Sequence, residues 1–275
     1  MSSPWPFIAW GMDVIRPIEP AASNGHRFIL VAIDNFTKWL KATSHKSVTK
    51  KVVAEFVRNH IICRFGIPES IIIDNGANLN SHLMKDIYEQ FKITHRNSTA
   101  YRPQMNGAVE AAIKNIKRIL RKMTDNHKGW HEQLPYALRG YRTTVRTSTG
   151  ATPYLLVYGI EAVIPVEVEI PSLRIIQEVE LDNVEWVRAR HEQLALIDEK
   201  RMVAICHGQL YRQRIARAFN KRVRTRLFHI RQLVLKRIFP HQDEYKGKFA
   251  PTWQGPYVIR KVLSGRAVVL AEIDG

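Results

Sequence analysis

A turn followed by a strongly amphipathic stretch, residues 106–120, constrains this chain more than any other feature of its sequence. Asn106-Gly107 is a turn signal, and the stretch after it predicts a helix. Apolar residues recur there at steps of three and four, so they share one buried face: Val109, Ile113, Ile116 and Leu120. A second face carries Glu110, Lys114, Lys117 and Arg121. An ordinary surface helix with one Glu-to-Lys pair would show the same pattern, so the role of the carboxylate depends on its context.

The residues before this helix predict an α/β domain with a mixed sheet. The predicted strands span residues 10–15, 28–33, 39–43, 70–74 and 93–95. Asn24-Gly25 predicts a hairpin that pairs the first two strands antiparallel. Thr49 can cap a helix that Gly66 ends, and a further helix covers roughly 81–91. Paired strands followed by alternating helices and strands are typical of this fold class.

Two solitary acids accompany these strands. Asp13 interrupts the first apolar run, and Asp74 ends the strand of residues 70–74. Either acid alone is explained as a turn or strand-end residue. Together with Glu110 they form the set that two-metal phosphoryl chemistry needs, because Mg²⁺ prefers oxygen ligands and two ions can share a bridging carboxylate. The sequence therefore allows a metal site with Asp13, Asp74 and Glu110 as ligands.

Charge and cysteine usage narrow the class of protein. The net charge of +17 and the pI of about 10.1 indicate a polyanionic partner, most simply nucleic acid. The charge is segregated: +8 over residues 1–171, −3 over 172–200 and +11, with no acid, over 201–240. Cys63 and Cys206 can form neither a disulfide framework nor a Cys-x-x-Cys zinc site, so we expect no zinc. No secretory signal and no apolar run of membrane-spanning length is present, so no membrane contact is expected.

The spacing of the three acids and the short sequence motifs around them together identify a resemblance. Sixty residues separate Asp13 from Asp74, and 35 separate Asp74 from Glu110. This is similar to the D,D-35-E pattern of retroviral and retrotransposon integrases, and the surrounding words over residues 5–170 resemble the plant Ty3/gypsy branch. These words are Trp10-Gly-Met-Asp13, Ile33-Asp-Asn-Phe-Thr-Lys-Trp39, Cys63-Arg-Phe-Gly-Ile-Pro68, Asp74-Asn-Gly76, Tyr101-Arg-Pro-Gln-Met-Asn-Gly-Ala-Val-Glu110, Gly140-Tyr-Arg-Thr-Thr144, Ser148-Thr-Gly-Ala-Thr-Pro153 and Leu156-Val-Tyr-Gly159.

The resemblance implies a ribonuclease H-like fold whose five-stranded mixed sheet has flanking helices. It implies that Asp13, Asp74 and Glu110 are catalytic and bind two Mg²⁺ or Mn²⁺ ions. The implied reaction trims the 3′ ends of element DNA and joins them to target DNA in the nucleus, within a homo-oligomer. Tyr101, Gln104, Lys114 and Lys117 match positions that contact DNA, and Arg121 continues the column of cations. For Tyr101 and Gln104, packing within their loop is an equal alternative.

The remainder of the chain predicts a helical segment and a small β domain. Residues 182–222 predict one long helix, acidic in its first half and basic in its second. The basic segment predicts DNA contacts, with a solvated helix face as the alternative. The contacts are assigned to Arg212, Arg214, Arg217, Lys221, Arg222, Arg224 and Arg226. The end resembles the family's small SH3- or chromodomain-like barrel, cut short near its last strand and able to contact chromatin. The expected domains are a catalytic core (1–171), a basic helical linker (172–230) and this barrel (231–275).

Three departures from the family pattern leave the function open. Arg16 and Ile113 stand where the family usually has Gly and Asn, and Arg231-Gln232 replaces Gly-Asp before a strand. The resemblance would also place a zinc-binding module before residue 1. Three hypotheses follow: an active integrase, a catalytically decayed DNA- or chromatin-binding remnant, and a ribonuclease H-type nuclease. The spacing of the acids and the appended barrel disfavour the third.

Overall fold

The computed structural model describes residues 5–15, 17–74, 79–98, 107–124, 127–221, 227–238, 252–263 and 267–273, without the side chains of Asp74, Ser98 and His127. The chain divides into two compact units, Met1–Arg214 and Ile215–Gly275. The domain boundaries predicted after residues 171 and 230 stay predictions.

A five-stranded mixed sheet is the centre of the first unit. Its strands are β1 (Ala9–Ile15), β2 (Phe28–Asp34), β3 (Leu40–His45), β4 (Ser70–Asp74) and β5 (Thr94–Ser98), in the order β3-β2-β1-β4-β5. The pairs β1–β2 and β2–β3 are antiparallel, whereas β1–β4 and β4–β5 are parallel. Gly25, with φ +80°, makes the predicted turn between β1 and β2. The predicted ribonuclease H-like arrangement is confirmed.

Helices pack on both faces of the sheet. On one face lie α1 (Lys50–Phe56), which continues through a π-helical segment (Val57–Ile62) into α2 (Cys63–Phe65), and α3 (His82–Phe91). Thr49 caps α1 by accepting a hydrogen bond from the N–H of Val52 at 3.3 Å, as predicted. On the other face lie α4 (Gly107–Met123) and α5 (Trp130–Arg142). Each face has its own apolar cluster, and the cluster under α4 contains Ile15, Ile29, Val31 and Ile33.

Between the end of α5 and residue 221, a range that is fully described, the chain forms four short or medium helices and one long helix. They are α6 (Pro153–Tyr158), α7 (Pro165–Glu169), α8 (Leu173–Glu180), α9 (Asn183–Ala195) and α10 (Ile197–Asn220). The prediction of one helix over 182–222 was wrong at Leu196, which ends α9 with φ −83° and ψ 0°. Both helices are held at the end of α6: Arg190 donates to the carbonyl O of Tyr158 at 2.9 Å, and Lys200 to that of Gly159 at 2.8 Å. The break lets both helices reach this one end of α6.

The second unit contains a three-stranded antiparallel sheet in the order β6-β7-β8. Its strands are β6 (Leu233–Arg237), β7 (Trp253–Val262) and β8 (Val268–Ala271). These strands agree with the apolar runs of the sequence. Residues 239–251 and 264–266, where the rest of the predicted barrel would lie, are outside the described residues.

Candidate metal and nucleic-acid site

Asp13 and Asp74 belong to neighbouring parallel strands. The observed pairing of β1 with β4 matches Ala9 with Ser70 and Gly11 with Ile72. The same register continued by two residues sets the backbone position of Asp13 beside that of Asp74, the last residue of β4. Neighbouring strands lie about 4.8 Å apart. With this register continued, two acids that have 60 residues between them in the sequence take adjacent backbone positions in the sheet.

Alternation along β1 gives Asp13 the face that α4 covers. Trp10 and Met12 belong to the apolar cluster under α1 and α3, and Ile15 belongs to the cluster under α4. Because successive side chains of a strand point to opposite faces, Asp13 lies on the same face as Ile15. Its side chain is half-buried, and its Oδ1 accepts a hydrogen bond from the N–H of Val14 at 2.7 Å.

Glu110 lies in the first turn of α4, directly after the buried Val109. Its side chain is exposed at the edge of the helix face that packs on the sheet. The positive end of the helix dipole favours a carboxylate at this position. Asp13 and Glu110 thus belong to elements that share one face of the sheet.

The predicted column of cations on α4 is solvent-accessible. Lys114, Lys117 and Arg121 are exposed, and they follow Glu110 at intervals of four, three and four residues along the helix. Lys117 and Arg121 also line a cavity of about 530 Å³ between α4 and the end of β1. The other lining residues are Ile15, Pro17, Ile18, Glu19, Ile29, Leu120, Thr124 and Trp130. No local pattern in the sequence indicates this cavity, because its walls come from four separate segments of the chain.

The remaining predicted DNA contacts fall into two groups. Arg212, Arg214 and Arg217 are exposed on α10, and the exposed Lys221 follows the end of that helix. Arg212 donates its Nε–H to the carbonyl O of Gly208 at 3.1 Å. The predicted residues Tyr101, Gln104, Arg222, Arg224 and Arg226 lie outside the described residues.

Arg201, one of the eleven cations of the segment 201–240, has an acidic partner and a structural role. Arg201 forms an ion pair with Asp198 at 3.2 Å and donates to the carbonyl O of Leu156 at 3.1 Å. Its acid lies three residues upstream, outside the segment in which the charges were counted. Arg201 therefore fastens α10 to α6.

Asp34, which is not among the predicted site residues, fixes the segment that leads into β1. Asp34 is fully buried, and its carboxylate accepts hydrogen bonds from the N–H of Phe7 at 3.0 Å and from the N–H and hydroxyl of Thr37 at 2.7 and 2.6 Å. Burial raises the pKa of Asp34, although these bonds oppose the shift. The motif Ile33–Trp39 contains this acid. Its hydrogen bonds in the fold, and not the motif, show that it stabilises a turn.

The described residues contain no group of three His, Cys, Asp or Glu side chains close enough to hold a metal ion. The side chain of Asp74 is not among them, so the predicted set of Asp13, Asp74 and Glu110 stays a prediction. The donor set itself suits a hard divalent cation, since it would consist of three carboxylates. Within the same described ranges, no helix combines the length and hydrophobicity needed to cross a membrane.

Comparison with protein families finds two matches. Residues 5–103 match the integrase core domain family. Residues 228–275 match a domain family of unknown function, DUF8803. The first match includes both β1 and β4 and therefore Asp13 and Asp74.

Viral polyproteins are among the similar curated proteins. The Gag-Pol polyprotein of avian reticuloendotheliosis virus is 27% identical over 251 residues, which are 91% of this chain and 20% of that protein. The Gag-Pol polyproteins of gibbon ape leukemia virus and feline leukemia virus are 34% and 36% identical over 156 and 152 residues, or 56% and 54% of this chain and 9% of each polyprotein. The chain thus spans a fifth or less of the length of these relatives.

Two solved structures are similar at lower identity. The intasome of simian T-cell lymphotropic virus in complex with the PP2A regulatory subunit B56 gamma matches with a TM-score of 0.49 and 23% identity, covering 60% of this chain and 61% of that one. The HTLV-2 integrase catalytic core domain, in complex with magnesium in a trimeric form, matches with a TM-score of 0.44 and 21% identity, covering 54% and 95%.

Proposed function

We propose that this chain is a retrotransposon integrase of the Ty3/gypsy type, which processes the 3′ ends of element DNA and joins them to target DNA. The observation that carries the proposal is the parallel pairing of β1 with β4. Its register, continued by two residues, would set Asp13 beside Asp74 on the sheet to which the helix of Glu110 packs. The match of residues 5–103 to the integrase core domain family supports it. DNA as substrate implies a nuclear location.

In this proposal, Asp13, Asp74 and Glu110 hold two Mg²⁺ or Mn²⁺ ions, with Asp13 and Asp74 on the sheet and Glu110 on α4. Bound metal would lower the pKa of the attacking water or 3′-hydroxyl and stabilise the leaving 3′-oxygen. The half-buried position of Asp13 suits a ligand, because a carboxylate that is partly withdrawn from water gains more from a cation than an exposed one.

The cations of α4 would hold the DNA backbone beside the acids. Lys114 and Lys117 lie about one and two helical turns beyond Glu110 and are exposed, so each can contact a phosphate as a point charge. Arg121 lies one turn further, at the cavity next to the end of β1. We assign Tyr101 and Gln104 to the same DNA contact on the strength of the resemblance alone.

A strand-transfer assay with a labelled duplex of element-end sequence tests the proposal. The full chain is incubated with target DNA and Mg²⁺ or Mn²⁺, and joined products are separated from cleaved ones. Asp13→Asn and Glu110→Gln are each expected to lower the rate at least about 100-fold, because each removes a metal ligand. Glu55→Gln, which changes an exposed acid on α1, is the matched control and should leave the rate unchanged.

The same assay separates the three hypotheses. Joined products that need metal and the acids support the integrase, whereas cleavage of an RNA–DNA hybrid without joining would indicate a ribonuclease H-type nuclease. Salt-sensitive DNA binding without either product would indicate the non-catalytic remnant. Specific observations favour this remnant as the second candidate: Arg214, Arg217 and Lys221 are exposed, and Ile113 departs from the family pattern. We assign the basic segment to DNA binding and the C-terminal sheet to chromatin contact in either case.

A further inference from the structure

Helix α10 is fixed to the first unit by one of its faces. Lys200 donates to the carbonyl O of Gly159, and Arg201 donates to that of Leu156. Gly208 approaches the loop before α6 so closely that a Cβ there would lie 3.1 Å from the carbonyl O of Ser148. Ala204, between these contacts, is 4% exposed. This side of the helix is therefore occupied within the chain.

The opposite side of α10 carries a row of five exposed residues along the helix axis. At about 100° of rotation per residue, Glu199, Val203, Cys206, Leu210 and Arg214 fall within a quarter of the helix circumference. All five lie in the first unit, and all are exposed. Val203 and Leu210 are 69% and 53% exposed, although neither has a polar group to solvate. We call these five residues the outer stripe.

The outer stripe is complementary to itself in the antiparallel direction. An acid stands at its start, a cation stands at its end, and apolar residues with one thiol lie between them. A two-fold axis next to Cys206 places Glu199 of each copy opposite Arg214 of the other copy. The same axis places Val203 of each copy opposite Leu210 of the other. Parallel pairing would instead oppose each charge to its own kind, which is unfavourable. The described residues give neither Glu199 nor Arg214 an ion pair within the chain.

We propose that two copies of this chain associate through the outer stripes of their α10 helices, packed antiparallel about an axis next to Cys206. The acidic-to-basic order along α10 selects the partner, because a second copy supplies both the matching apolar pair and the matching charges. The paired segment, 16 residues long, is about 24 Å in length. Its contact is smaller than a standard protein interface, so association in the micromolar range is expected. This inference does not rest on the proposed function, and its test needs neither metal nor strand transfer. It assigns Arg214 to the second copy, so that the DNA contact of the basic segment rests, among the described residues, on Arg212, Arg217 and Lys221.

Charge reversal separates antiparallel pairing from other modes of association. In sedimentation velocity with the full chain, Glu199→Arg and Arg214→Glu are each expected to weaken self-association roughly tenfold, because each places like charges opposite one another twice. A mixture of the two variants should associate as well as the wild type, since each copy then offers the charges that the other needs. Gln209→Arg is the control: it adds a cation next to Leu210 in sequence but about 100° away around the helix.

Cross-linking locates the contact. In a Cys63→Ser background, a short bismaleimide should join two copies through Cys206, and the mixed pair of charge variants should cross-link faster than either variant alone. Equal association of Glu199→Arg, Gln209→Arg and wild type, or failure of the mixture to recover, would overturn the proposal. Cross-linking that needs added DNA would also overturn it, because the stripe would then be occupied by DNA through Arg214. These outcomes do not depend on strand-transfer activity.

Discussion

Replacing Ile113 by Asn tests whether the departure at this position impairs the chain or completes its core. The family usually has Asn one turn after the catalytic Glu, so a polar role would predict a faster enzyme after Ile113→Asn. In the structure, Ile113 is 9% exposed and belongs to the apolar cluster that joins α4 to β1 and β2. Its neighbours on the same helix face, Val109 and Ile116, are fully buried. The structure therefore predicts that Asn at this position destabilises the fold.

The magnitude follows from burial. Removing a buried isoleucine side chain from the cluster costs about 2–3 kcal/mol, and an amide that finds no partner there costs about 1–3 kcal/mol more. Helix propensity adds little, because Asn and Ile differ by only a few tenths of a kcal/mol. The free energy of unfolding should fall by about 3–6 kcal/mol, which corresponds to a decrease in Tm of roughly 10 °C or more for a unit of this size.

Thermal unfolding followed by circular dichroism measures this change, with two controls on the same helix. Ile113→Val should cost only about 0.5–1.5 kcal/mol, since it removes one methylene group. Lys114→Asn should cost less than about 1 kcal/mol, since Lys114 is exposed. Strand transfer of Ile113→Asn at 15 °C should not exceed that of the wild type. An Ile113→Asn protein with wild-type Tm and faster strand transfer would refute the reasoning and assign the position a polar contact beside the proposed metal site.

Three further predictions concern other parts of the chain. Arg231 adopts φ +69°, a left-handed conformation that costs a non-glycine residue about 1–2 kcal/mol. Arg231→Gly should therefore stabilise its unit by about 1 kcal/mol in urea unfolding, and a loss of stability would contradict this. Burial and then neighbouring positive charge lower the pKa of His26 and His45 below 6.5, so the unfolded chain binds more protons and Tm should fall as pH drops from 7.5 to 5.5. His45→Gln should reduce that fall, and an unchanged pH profile would exclude its contribution. The double variant Arg217→Gln with Lys221→Gln should lower the slope of log K against log[NaCl] for DNA binding by about two, and an unchanged slope would remove both residues from the DNA contact.

The sequence predicted the elements around the candidate site because their signals are local. The hairpin turn at Gly25, the cap at Thr49 and the buried stripe of α4 each depend on residues within one or two turns of chain. The proximity of β1 and β4 could also be inferred, because an acid in an apolar strand carries a desolvation cost unless it has a partner. The common face of Asp13 and α4 then follows from alternation along β1.

Other features could not be predicted, because they depend on contacts distant in sequence. The role of Asp34 depends on Phe7, 27 residues earlier in the chain, whose N–H it accepts. The break at Leu196 depends on α6, since helical periodicity continues across it without a Gly or Pro. The cavity beside Arg121 requires walls from β1, β2, α4 and α5 together. Periodicity identifies which faces are buried but not which other element buries them.

The turn before β6 shows how the chain accommodates a departure from the family pattern. Arg231-Gln232 stands where the family usually has the turn-forming pair Gly-Asp, and one of the two residues supplies comparable turn chemistry. The side-chain Oε1 of Gln232 accepts a hydrogen bond from the N–H of His229 at 3.3 Å, which is the bond that an acid at this position could accept. Arg231 still donates its backbone N–H to the carbonyl O of Ile259 at 2.8 Å, so β6 and β7 stay paired. The departure at Ile113 is likewise accommodated by packing.

Both changes are thus absorbed where they occur, and neither alters the elements that carry Asp13 and Glu110. We therefore expect that a chain restored at positions 113 and 231 to the family residues has no higher strand-transfer rate than this one, and a large gain in rate would show that local accommodation is not enough.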